Sequence, residues 1–121
     1  MSEEEKKVRM LLKAVIFHYH GLDEVEKQDL EDTSQKLEAT NELAWALEFI
    51  SADYITAFDR ARVYLNDIIG DYPKKMRVDL INMVWEANNL KGFITEMEVN
   101  AMLKFAKDWG VENELKSLVL H

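Results

Sequence analysis

The 121-residue sequence contains no cysteine. That excludes a disulfide frame, a thiolate metal site and a cysteine nucleophile. There is one proline, Pro73, and there are four glycines, Gly21, Gly70, Gly92 and Gly110, so chain breakers are few. No apolar run approaches the roughly 20 residues of a membrane span. The N-terminus "MSEEEKKVRM" lacks the apolar h-region of a signal peptide, so a cytoplasmic protein without direct membrane insertion is expected. Basic residues are in the minority, and the formal net charge is -8. Counterion-release binding to nucleic acid or anionic lipid needs the opposite sign, so no nucleic-acid partner is expected. The serines, Ser2, Ser34, Ser51 and Ser117, have no G-x-S-x-G context, and no glycine run could cradle a phosphate. The Glu-x-x-His pairs of di-iron bundles are missing too. The sequence thus offers no catalytic residue and no cofactor site.

What is present is helical periodicity. Hydrophobic residues make up 48% and charged residues 31%, the profile of a globular domain, here taken as one domain over residues 1–121. Val8, Leu11, Leu12, Val15, Ile16 and Tyr19 share one helix face that closes near Gly21. Asp23 can cap a second, mostly polar helix with a thin stripe of Leu30, Thr33 and Leu37. "NELAWALEFI" is apolar nearly all round and predicts a central, buried helix. Tyr54, Phe58, Ala61, Leu65 and Ile68 stripe a fourth helix, and Pro73 should open a fifth at its first position. That fifth helix turns Met76, Leu80, Met83, Val84 and Ala87 inward. Val99, Met102, Leu103 and Ala106 line the next helix, ended by Gly110, and a short helix from about Glu112 follows. The tryptophans Trp45, Trp85 and Trp109 fall on or near apolar faces. The expectation is an all-α bundle of six to seven helices.

Charge is unevenly spread. Asp23 to Glu38 holds seven acids against two lysines, a local sum of -5. Such a helix is a solvated surface or an acidic docking face for a basic partner, with Glu24, Asp29 and Asp32 as candidate contacts. Lys74, Lys75 and Arg77 occupy the first turn of the Pro73 helix, where the helix dipole disfavours cations. They form a second candidate partner-binding patch. His18 and His20 point about 200° apart on a helix and cannot chelate one ion together. His20, Asp23 and Glu24 nevertheless compose a candidate weak cation site at the first turn.

"ANNLKGFITEME" superficially matches a calcium loop, with Gly92 sixth and Glu98 twelfth. Its first position is Ala87 and its fifth is Lys91, so essential oxygen ligands are missing and an ammonium has been added. Thr95 and Glu98 instead compose a capping box, with Ile94 and Val99 at the staple positions. "GLDEVE" repeats this arrangement faintly through Asp23 and Glu26.

"LINMVWEANNLKGFITEMEVNAMLKFAKDWGV" resembles the second half of the TerB-like helical domains, first known from tellurite-resistance operons. Those domains carry an Ala-Asp-Gly-x-Ile-like turn, an acid, and a helix ending in a Leu-Gly-Ile-like turn. The family contains this unit twice, and "FHYHGLDEVEKQDL" resembles a first copy. The motif match covers about residues 76 to 119. The family's turn aspartates are replaced, by Ala87-Asn88-Asn89 in one copy and His20-Gly21 in the other. The resemblance therefore implies the fold more than the metal coordination attributed to TerB. It implies a non-enzymatic protein-interaction module. The alternative is a cation-binding stress-response protein using acids around the first turn. Partner identity and oligomeric state stay open.

Overall fold

The structure, a computed structural model, describes residues 1–19, 22–89 and 95–120. Among them are seven helices and no strand: α1 (Glu3–His18), α2 (Glu24–Lys36), α3 (Thr40–Ser51), α4 (Ala57–Ile69), α5 (Lys74–Asn89), α6 (Glu96–Asp108) and α7 (Glu112–Val119). The fold is all-α, with the helix count expected from periodicity. The chain divides into two compact units, Met1–Ala61 and Arg62–His121, with α4 running across the division.

In the first unit α1 packs against α3 and α2. Ser2 caps α1 through a hydrogen bond from the Glu5 N–H, and Glu3, Glu4 and Glu5 sit at the positive end of its dipole. Every residue from Met10 to Phe17 is buried. The central buried helix is therefore α1, which corrects the expectation for "NELAWALEFI": α3 buries only Leu43, Ala46 and Ile50, and Ala44 is exposed. One-sided periodicity in α1 hid a run, "MLLKAVIF", that is apolar all round except for Lys13.

Lys13 is only 4% exposed. Its ammonium meets Asp29 Oδ2 at 2.6 Å and donates to Thr33 Oγ1 at 2.7 Å, joining α1 to α2. A buried charge requires such a partner, because transfer out of water is otherwise prohibitive.

The two units repeat one local design. Asp23 and Glu26 compose a full capping box at the start of α2, as Thr95 and Glu98 do for α6. Both glutamates are fully buried. Each helix runs 13 residues. Each then closes in a Schellman turn: Ala39 N–H donates to Ser34 O and Glu38 N–H to Gln35 O, while Val111 N–H donates to Ala106 O and Gly110 N–H to Lys107 O. The left-handed position is Gly110 (φ 69°) in one unit and Glu38 (φ 53°) in the other. In each, a basic side chain of the preceding helix braces the turn, Lys6 Nζ on Glu38 O at 2.9 Å and Arg77 Nη1 on Trp109 O at 2.5 Å. At a fixed offset of 72 residues Glu24, Glu26, Asn41, Glu42 and Leu43 match Glu96, Glu98, Asn113, Glu114 and Leu115.

Several boundaries shift from expectation. Tyr54 precedes α4 and is exposed, and the buried stripe is Ala57, Ala61, Leu65 and Ile69. Pro73 stands just before α5, its carbonyl accepting from the Met76 and Arg77 N–H groups. The α5 core is Leu80, Ile81, Val84, Ala87 and Asn88, with Met76 and Met83 half-buried. In α6, Ala101 and Phe105 are buried with Met102 and Ala106, while Val99 and Leu103 are half-buried. Trp109 is buried, and Trp45 and Trp85 are half-buried. Arg62 clasps Asp108 with two 2.9 Å bonds, and Asn66 links Asp108 to the Trp109 indole. The Arg62 hydrogen bond, reinforced by the one from Asn66, holds the Asp108 carboxyl below its ordinary range against the opposing effect of burial.

Candidate functional site

The acidic helix α2 buries only Glu26, Leu30 and Ser34. Glu24, Glu31 and Asp32 are exposed, among neighbours Val25, Lys27, Gln28, Gln35 and Lys36 that are exposed too. Glu24 meets Lys27 at 3.3 Å, and Asp32 accepts from Gln28 Nε2 at 2.9 Å. Asp29, read with them in the sequence, faces the other way: it is the counter-ion of buried Lys13.

Beside this acidic edge lies a groove of about 340 Å³, lined by Glu31, Ser34 and Gln35 from α2 and by Thr40, Leu43, Ala44 and Leu47 from α3. The α3 residues are spaced i, i+3, i+4, i+7, one helix face. Sequence reasoning missed this groove because it assigned all of α3 to the core.

A second concavity, of about 170 Å³, is lined by Val15, His18, Tyr19, Ile50, Tyr54, Ile55, Ala57 and Phe58. His18 and Tyr54 have ring centroids 5.8 Å apart, and Tyr19 and Phe58 4.8 Å. Arg60 secures its rim by donating to Phe49 O, Asp53 O and Thr56 Oγ1, each at 2.9 Å. Burial, with the Lys27 charge nearby, lowers the His18 pKa from its ordinary 6.5. Desolvation disfavours the charged imidazolium, against the favourable end of the α1 dipole.

Of the candidate cation site, His20 lies outside the described residues, as do Leu90 to Ile94 of the calcium-like turn. Asp23 Oδ1 accepts the Glu26 N–H at 2.8 Å within the capping box. Among the described residues no cluster of three or more His, Asp or Glu side chains could hold a metal ion. Asn88, where the resembled family has Asp, is fully buried and donates to Val84 O at 3.2 Å.

The basic turn has internal partners. Lys74 meets Glu114 at 2.8 Å, a bond that lowers the Glu114 pKa, and Arg77 holds the α6 C-terminus. These contacts explain why cations are tolerated at the start of α5. Lys75 is exposed. Among the described residues no helix is long and apolar enough to cross a membrane. Comparison with protein-family profiles, with curated proteins and with solved structures finds no match to this chain.

Proposed function

We propose that this chain is a non-enzymatic, cytoplasmic protein-interaction module of TerB-like type, which offers the acidic surface of α2 to a basic partner. The observation that carries this reading is the outward placement of Glu24, Glu31 and Asp32 on a helix that buries few residues of its own. Mutual repulsion of such acids is relieved when a cationic surface docks. The doubled unit of capping box, 13-residue helix and Schellman turn supports the TerB-like part.

The test is a pull-down from the native host with identified partners, repeated with Glu24→Lys/Glu31→Lys/Asp32→Lys at low and high salt. Asp29 is kept, because a lysine there would face Lys13 and unfold the unit. Loss of a specific partner in the variant, with helicity intact, is the expected result. Recovery of the same partners by both proteins at both salts would reduce α2 to a solvated face.

A further inference from the structure

The repeat within the chain provides an internal comparison for the α2–α3 groove. Thr40, Leu43, Ala44 and Leu47 correspond, 72 residues on, to Glu112, Leu115, Lys116 and Val119. In the second unit Lys116 meets Glu112 at 2.8 Å, so a four-carbon stem and an ion pair lie along that face of α7. In the first unit the corresponding position is Ala44, which is exposed and ends at its Cβ. Where the second unit carries an ion-paired lysine on this face, the first carries a short apolar side chain.

The surroundings select an occupant. Glu31 forms part of the α2 wall, and Glu48, one residue beyond Leu47, is exposed on α3. Glu24 and Asp32 continue the negative surface along α2. A second copy of this chain, carrying -8 itself, would bring acid against acid. A helix with an apolar stripe and flanking lysines or arginines satisfies both the apolar floor and the acidic rim.

We propose that the groove between α2 and α3 of the first unit docks a basic amphipathic helix of a partner protein. The inference rests on the interaction-module reading and adds the place and the chemistry of the contact. Apolar side chains of the incoming helix enter over Ala44, between Leu43 and Leu47, while its basic flank meets Glu31 and its neighbours.

The probe is a synthetic helical peptide of about 18 residues, five turns, with leucines at i, i+3, i+4 and i+7 and lysines on both flanks. A scrambled peptide of the same composition is the control. Binding is read by fluorescence anisotropy, and the contact by amide chemical shifts. The patterned peptide should bind at least about tenfold more tightly than the scrambled one, a difference of about 1.4 kcal/mol. Shifts should concentrate on 31–35 and 40–47. Ala44→Lys and the uncharged Ala44→Gln should each remove the preference for the patterned peptide. Both variants should fold, since the second unit already carries lysine at this position.

Four results would overturn the proposal. One is equal binding of both peptides, unaffected by Ala44→Gln. Another is no binding of either. The third is a dimer of the free protein, seen by sedimentation, that Ala44→Gln dissolves. If a natural partner is lost on α2 charge reversal yet kept by Ala44→Gln, the groove fails while the acidic-face reading stands.

Discussion

Replacing Asp29 with alanine should be among the most damaging single changes on the surface of α2. The Lys13 ammonium it neutralises has almost no contact with water, and would retain only Thr33 Oγ1 as a described partner. Removing one member of a buried ion pair costs about 3–5 kcal/mol. The Asp29 side chain is 23% exposed, so water can approach the vacated position, which places the expected loss at the lower end, about 3 kcal/mol. Domains of this size have about 5–15 kcal/mol in total. With a urea m-value of about 1–3 kcal/mol/M, the midpoint should fall by about 1–3 M. Far-UV circular dichroism against urea reads this directly. The double variant Lys13→Met/Asp29→Leu should recover most of the loss, because replacing a buried pair by apolar groups is often neutral. A loss under about 1 kcal/mol for Asp29→Ala, or a double variant no more stable than the single, would refute the reasoning.

Other outcomes follow from local geometry. Thr95→Ala should cost about 1 kcal/mol in a thermal melt, whereas Glu98→Gln should be mild, because glutamine still fills the capping box. Glu38→Gly should stabilise by up to about 1 kcal/mol, since glycine meets no Cβ penalty at φ 53°; equal or lower stability would show that the Glu38 side chain offsets its strain. With its folded pKa lowered, His18 contributes stability that is complete above its ordinary 6.5 and is lost as pH falls through the lower folded value. Urea midpoints of His18→Gln should therefore fall less steeply with pH across that window than those of the parent.

Much of the fold is legible in the sequence where partners are close together. Thr95 with Glu98 and Asp23 with Glu26 lie three residues apart, so their capping boxes follow from spacing alone. Gly110 marks its turn because glycine favours positive φ, whereas Glu38 occupies the matching place without that signature. The Lys13–Asp29 pair was out of reach, since it joins two helices at a distance no periodicity encodes. Asp29 accordingly reads as one more surface acid until α1 is seen beside it. The groove was hidden for a related reason. A stripe such as Leu43, Ala44 and Leu47 reports apolar character but not whether a neighbouring helix covers it.

The most direct test of the central claim is the salt dependence of the affinity for a purified partner recovered in the pull-down. Exposed charges are screened over about 10 Å at 0.1 M salt. The account predicts that binding by the parent protein weakens steeply between about 0.05 and about 0.3 M salt. It also predicts that Glu24→Lys/Glu31→Lys/Asp32→Lys, still fully helical, binds weakly at every salt concentration. Equal affinities for the two proteins, flat with salt, would contradict it.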